Sequence, residues 1–247
     1  MRTFAEVLAA QLRRQPARPL ITYYDEQSGE RTELSLTTYA NWVAKAAGLL
    51  AEEADLERGQ EVRIDLPVHW MGPIFLGAAW TVGASVSFGP PDADQPTPAV
   101  VVCGPAGVQA WAEAGGATVF ACSLSPLGQR FPTPLPPEVR DVGVEIWSQP
   151  DAFTPWDPPT GDDEAVRPGH TEHGAPITQH ALMQAAAAGT LLTDGGRLLS
   201  TANPASPPGM AVFTEPLARS GSLVLLRHAD PEHLARVAKD ERITHQA

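Results

Sequence analysis

Lysine is almost missing from this sequence. Lys45 and Lys239 are the two that occur in 247 residues, so chemistry that needs a lysine has at most two candidates. Cysteine is as scarce: Cys103 and Cys122 stand alone. With no targeting segment in view they are expected to be buried thiols rather than a disulfide or redox pair. Positive charge is short as well. Seventeen Lys and Arg face 29 Asp and Glu, a formal charge of −12 and a pI near 4.9. That balance excludes a sequence-independent grip on nucleic acid, which needs clustered cations. Long apolar runs are lacking too: "MRTFAEVLAAQLRRQP" has no signal-peptide core, and no stretch is long enough to span a membrane. A soluble, cytoplasmic protein without nucleic-acid or membrane partners is the expectation.

Several catalytic signatures are also absent. No G-x-S-x-G elbow occurs, since Ser200 lies in "LLSTA" and Ser206 in "PASPPG". No Gly-rich run precedes a Lys-Ser or Lys-Thr pair. "CGPAG" has two of the three glycines of a dinucleotide fingerprint, and Pro105 removes a donor N–H. "TDGGRLL" reads as a turn between a helix and a strand.

What is present is enough apolar material for a core, 43% of residues, punctuated by 25 prolines and 21 glycines. Phe4, Val7, Leu8 and Leu12 recur at helical spacing behind Thr3. Two short strands follow around a Ser28-Gly29 turn, then a helix opened by Thr37 or Thr38 with Tyr39, Trp42, Val43, Ala46, Leu49 and Leu50 on one face. "EVRIDLP" alternates, with Val62, Ile64 and Leu66 on one side. A helix from Trp70 to Val82, the strand "ASVSF", the strand "AVVVC", a helix in "PAGVQAWAEA" and the strand "ATVFAC" continue the alternation. This pattern predicts an α/β fold of layered, largely parallel sheets flanked by helices. Residues 1–125 form one expected α/β subdomain, 126–168 a Pro-rich connection with "VGVEIW" as its strand, and 169–247 a second segment completing the same lobe. The second segment reads as a helix from Thr178 to Leu192, a strand at "RLLST", a helix near 208–219, the strand "SLVLLR", and a final helix capped by Asp230-Pro231.

Candidate chemistry concentrates in "GHTEHGAPITQH", residues 169–180. His170 and His173, with Glu172, are weak candidates for a metal, and His180 could add a ligand. Their spacing is not that of H-E-x-x-H, and flanking glycines and prolines make the stretch a loop. A solvated turn before a helix, a metal site and a worn phosphate loop all stay open at this point. The acidic run Asp162, Asp163 and Glu164 reads either as a divalent-cation holder or as exposed charge. Trp111, Trp147 and Trp156 are expected to be packing residues.

The order of segments resembles the N-terminal part of the adenylate-forming enzymes, the acyl-CoA synthetases and peptide-synthetase adenylation domains. The resemblance rests on "RPLITYYDEQSGERTELSLTTYANWVAKAAGLLAEEADLERGQEVRIDLP", on "FLGAAWTVGASVSFGPPDAD", and on "GSLVLLRHADPEHLARVAKDERITH". In that family a D-D-x-A segment leads into a Thr/Ser/Gly-rich loop ending in Pro-Lys-Gly, which closes on ATP phosphates. Here "DDEAV" leads into "RPGHTEHGAPITQHAL". The lysine is gone, and Thr171, Glu172, His173 and Gly174 are what a phosphate-loop remnant would contain. "STANPASPPGM" stands where the family has an aromatic-histidine segment. The chain has about half the family's length, without its adenine-binding, ribose-binding and C-terminal lysine parts. The resemblance therefore implies the fold without the reaction: a degenerate, non-adenylating binding or interaction module with no catalytic residue assigned and no cofactor expected. ATP or AMP with Mg enters only if residual family activity persists. The alternative is an enzyme of altered chemistry, or one half of an acyl-activating enzyme completed by a partner chain. A homo-oligomer, or an unknown protein partner covering the surface left by the missing half, is the expected assembly.

Overall fold

The structure, a computed structural model, describes residues 2–171 and 174–247. Its first helix, α1 (Phe4–Arg14), begins where Thr3 Oγ1 accepts the Glu6 N–H and the Glu6 carboxylate accepts the Thr3 N–H, a reciprocal cap. The hairpin β1 (Pro19–Asp25) and β2 (Glu30–Ser35) turns at Gly29, whose φ of +73° suits glycine. Helix α2 (Leu36–Glu53) is capped by Ser35, two and three residues before the expected Thr37 and Thr38: Ser35 is extended, and its Oγ accepts the Thr38 N–H.

Strand β3 (Glu61–Asp65), helix α3 (Met71–Val82), and strands β4 (Ser85–Phe88) and β5 (Val100–Cys103) follow, then α4 (Val108–Ala114) and β6 (Thr118–Ala121). The Pro-rich stretch contributes β7 (Val139–Asp141) and the single turn α5 (Val142–Glu145). "VGVEIW" is thus helical and 3-10, not a strand. Asp141 caps it through the Gly143 N–H, and Gly143 packs so tightly on the 129–130 backbone that a Cβ would lie 2.4 Å from Arg130 N. The remainder is β8 (Glu164–Val166), β9 (Ile177–Thr178), α6 (Gln179–Ala188), β10 (Arg197–Ser200), α7 (Ala211–Ala218), β11 (Ser222–Arg227), α8 (Pro231–Asp240) and β12 (His245–Gln246). Helix α6 stops short of Leu192 because the Glu215 carboxylate takes the Leu191 N–H and occupies the space a side chain at Gly189 would need.

The strands form two sheets, in the orders β12-β10-β11-β1-β2 and β7-β6-β5-β3-β4-β8-β9. All pairs are parallel except β1 with β2 and β8 with β9. Alternation along each strand feeds both faces. Leu223 and Leu225 of β11 enter the main core between the sheets, while Val224 and Leu226 meet Leu199 and Val237 under α8. Val100 and Val102 of β5 likewise face the main core, and Val101 and Cys103 meet Trp111 of α4. The result is five layers, with α3 in the middle one and buried along nearly its whole length. Gly77 permits that burial: a Cβ there would lie 2.4 Å from Tyr39 Oη and 2.8 Å from the Phe4 ring. Two polar tips beside it are answered, Trp80 Nε1 by the Ala165 carbonyl and Tyr39 Oη by that of Pro73, both at 2.9 Å. Cys103 and Cys122 are buried free thiols, as expected, and burial pushes the Cys103 thiol up to about 12. No described helix is long and apolar enough to cross a membrane.

Candidate functional site

The segment 167–176 joins β8 to β9 at the sheet edge. Strand β8 stays with β4 as far as Arg167, whose N–H reaches the Val86 carbonyl at 2.9 Å. Pro168 has no N–H to continue the ladder, and Gly169, at φ +82°, turns the chain away. The Phe88 N–H would then be orphaned. His170 Nδ1 accepts it at 3.3 Å, so Nε2 carries the proton and donates to Gln95 Oε1 at 3.2 Å. The ring also stands edge-on to Phe88. Burial first, and then the Arg63 guanidinium, push His170 below its ordinary value, against the pull of Glu61. Both ring nitrogens are thereby engaged within the protein.

Thr171 goes the other way. Its hydroxyl donates to the Ala175 carbonyl at 2.7 Å, and the Gly174 N–H returns to the Thr171 carbonyl at 3.2 Å, closing a compact turn with Gly174 at φ +71°. Glu172 and His173 lie outside the described residues. Thr178 caps α6, and the buried Gln179 clamps its start, accepting from Phe4 N at 3.0 Å and donating to the Trp80 carbonyl at 2.8 Å. His180 accepts the Arg2 N–H at 3.2 Å on the far side of that helix start. No group of three metal-ligating side chains occurs among the described residues.

Asp163 and Glu164 of the acidic run are tied up in structure, while Asp162 is exposed. Asp163 binds Arg58 through Nε at 2.8 Å and Nη2 at 2.7 Å, and accepts the Thr160 N–H at 2.7 Å. Burial alone would raise its pKa, but Arg58 and the Thr160 N–H outweigh it and hold the carboxyl below its ordinary value. Glu164 pairs with Arg167 at 3.3 Å, and Arg167 also meets Glu61 at 3.4 Å.

Sequence reasoning missed the network behind the loop. Arg63, 2% exposed, donates from Nε to Ser87 Oγ at 2.9 Å, and from Nη2 to Gln95 at 2.8 Å and Glu61 at 3.1 Å. A charged pair at Glu61 and Arg63, two apart on an alternating strand, was the available signal.

No family model matches the chain. A TIGR03089 family protein of Mycobacterium tuberculosis (strain H37Rv) is 34% identical over 247 residues, covering 96% of this chain and 95% of the relative. The chain belongs to the TIGR03089 family.

The fold of this TIGR03089-family chain matches the N-terminal lobe of acyl-CoA synthetases. A Brucella canis acyl-CoA synthetase superposes at a TM-score of 0.79 with 17% identity, over 99% of this chain and 47% of that one. The N-terminal domain of FACL13 from Mycobacterium tuberculosis gives 0.71 and 15%, over 98% and 62%. A luciferase-like enzyme from the mealworm Zophobas morio gives 0.74 and 14%, over 99% and 59%. The chain thus spans about half to three-fifths of the solved structures it resembles.

Beside the loop of this TIGR03089-family chain lies a cavity of about 330 Å³, walled by Thr171, Ile177, Leu182, Ala186, Met210 and Glu215. Met210 ends the "STANPASPPGM" stretch, which Asn203 shapes. Its Nδ2 donates to the Leu66 carbonyl at 2.8 Å, and its own carbonyl leaves room for nothing larger than Gly209. Glu215 is 7% exposed and lines this largely apolar cavity while its carboxylate accepts the Leu191 N–H at 2.9 Å.

Proposed function

We propose that this chain is a non-adenylating binding module, cytoplasmic, built on the acyl-CoA synthetase N-terminal fold. The observation that carries the reading is where the charges stand around the β8–β9 turn. Among the described residues Arg167 is the cation of that turn, and Glu61 and Glu164 hold it. Neither lysine is at hand: Lys45 pairs with Asp151 on another face, and Lys239 lies on α8. Glu215, a buried acidic residue, also lines the adjoining cavity, its carboxylate accepting the Leu191 N–H at 2.9 Å. A triphosphate with Mg, the group the resemblance implies, does not fit this donor set, because transferring phosphoryl or adenylyl groups requires cations and free N–H donors aimed at the developing charge. The cavity's size and its apolar walls instead suit a small, mostly apolar ligand.

Pyrophosphate exchange with mixed carboxylates and ATP-Mg tests this reading. No exchange above the no-enzyme control is expected, and robust exchange by the isolated chain overturns it. Thermal-shift titrations with AMP, ATP and an acyl-CoA form the second arm, in which stabilisation by ATP would contradict the charge argument.

A second reading is favoured by the same cavity, whose lining includes the half-buried Ile177 and the prolines Pro176 and Pro207 beside the loop. Here a second copy, or a partner chain completing an acyl-activating enzyme, covers that side. Sedimentation velocity and co-purification decide it: a strict monomer at high concentration, with no associated polypeptide, refutes both forms.

A further inference from the structure

Three tryptophans distant in sequence meet at one end of α2, far from the β8–β9 loop. Trp42 projects from α2, Trp70 precedes α3, and Trp147 sits on the 3-10 turn Ile146–Ser148. Trp42 is the hinge of the group, edge-on to Trp70 at 5.2 Å and 71° and to Trp147 at 5.4 Å and 67°. Trp70 is immobile: it is 1% exposed, and its indole N–H donates to the buried Glu30 at 3.1 Å. Gly128 closes the back of Trp42. A Cβ there would lie 3.3 Å from the indole, and its φ of +64° also favours glycine. Trp147, by contrast, is 55% exposed. The three rings, with Leu34, Lys45 and Asp151, wall a pocket of about 330 Å³.

We propose that this pocket binds an uncharged, flat aromatic molecule of one or two rings that carries a hydrogen-bonding substituent. Its volume lies at the small end of the range for ligand sites. Indole faces and edges on three sides select a planar π-system over a saturated one, because aromatic pairs gain from ring quadrupoles beyond area burial. The charges at the rim select neutrality. Lys45 Nζ meets Asp151 Oδ1 at 3.0 Å and also donates to the Gln149 carbonyl. A bound anion would face Asp151 and a bound cation would face Lys45, whereas an amide or hydroxyl can use both. Exposure of Trp147 is thereby accounted for: its ring is one wall of a site whose other walls are already rigid. Trp156 is fully exposed and makes no ring–ring contact among the described residues, so it serves as the internal comparison.

Isothermal calorimetry with naphthalene-2-carboxamide tests the site, with cyclohexanecarboxamide as the saturated probe. Saturable binding is expected for the aromatic amide, about tenfold tighter than for the saturated one. Trp147→Ala should weaken the aromatic amide about tenfold with an unchanged melting temperature, whereas Trp147→Phe keeps affinity within about threefold. Trp156→Ala should leave affinity unaltered. Absence of saturable binding, equal affinity for the two amides, or an unchanged affinity in Trp147→Ala would each overturn the proposal.

Discussion

Two buried polar clusters in this protein are built from similar groups and end in opposite states. The first crosses β3, β4 and the β8–β9 turn: Glu61, Arg63, Ser87, Gln95 and His170. None of its buried side-chain atoms lacks a partner. The second lies between the sheets: Tyr23, Glu30, His69 and Trp70. There Glu30 Oε1 accepts from Thr32 at 2.6 Å and Trp70 at 3.1 Å, and His69 Nδ1 accepts the Met71 N–H at 3.2 Å. Tyr23 Oη and His69 Nε2 nevertheless make no hydrogen bond. Glu30 stays 4.0 Å from His69 Nε2, and Arg227 acts on the phenol electrostatically without hydrogen-bond geometry. The difference is one of reach. Arg63 and Glu61 on β3, Ser87 on β4 and Gln95 in the following loop carry side chains that can swing to meet each other. The rings of Tyr23 on β1 and His69 in the β3–α3 connection cannot. The satisfied cluster also occupies the cations nearest the loop: Arg63 donates to Gln95 at 2.8 Å, and Arg167 pairs with Glu61 at 3.4 Å.

The contrast breaks most visibly at Arg63. Arg63→Met removes a buried guanidinium on which Ser87, Gln95 and Glu61 depend, leaving Glu61 to Arg167 and the Ser87 hydroxyl, and should cost on the order of 4 kcal/mol in urea unfolding. A loss below about 1 kcal/mol would mean the network is not structural.

His69 supplies the next effect, through pH. Burial first, then Arg227, lower its pKa from 6.5 to about 3, with Asp25 opposing. The native state therefore keeps a neutral ring, and the unfolded chain takes up the proton first as pH falls below 6.5. This contribution is complete above that pH and is lost on the way down to about 3. Its size is a few kcal/mol, about 1.4 for each pH unit between the two values. His69→Asn, which keeps an acceptor for Met71, should flatten that part of the acid-unfolding curve. An unaltered curve would remove His69 as its source.

At His170 the expected change is smaller. His170→Leu leaves the Phe88 N–H unanswered and should cost about 1 kcal/mol, with His170→Asn recovering most of it. Equal losses in both variants, by denaturant melts, would argue against the acceptor role. Tyr23→Phe closes the series: its hydroxyl has no partner, so stability should move by no more than about 0.5 kcal/mol or rise slightly. A large loss would reveal a bond that the geometry lacks.

The layered fold was legible because its carriers are local. Phe4, Val7 and Leu8 recur at helical spacing behind a Thr3 cap, and Val62 and Ile64 alternate along β3, so the periodicity was visible without any neighbour. "VGVEIW" misled because alternation over so few residues is ambiguous, and the packing of Gly143 on residues 129–130, far away in sequence, decided it. Trp147 and Trp156 misled for a related reason: a large ring is a fair guess for a core, but exposure is a property of the whole fold. At the candidate site the segment was visible as a histidine-bearing loop. The work of His170 was not, because the N–H it accepts belongs to a strand 82 residues earlier.

By itself the sequence determined most of the element order, the helix caps at Thr3 and Asp230, the glycine at the hairpin turn and the poverty of lysine that bears on phosphate chemistry. Each depends on backbone preference or composition, which act over a few residues. Only the tertiary structure decided that Arg63 would be consumed by Gln95 and Glu61, that His69 Nε2 would lack a partner, and that Trp42, Trp70 and Trp147 would wall one pocket. Those outcomes depend on sheet register and layer spacing, where a shift of one residue reverses the face of every side chain along a strand.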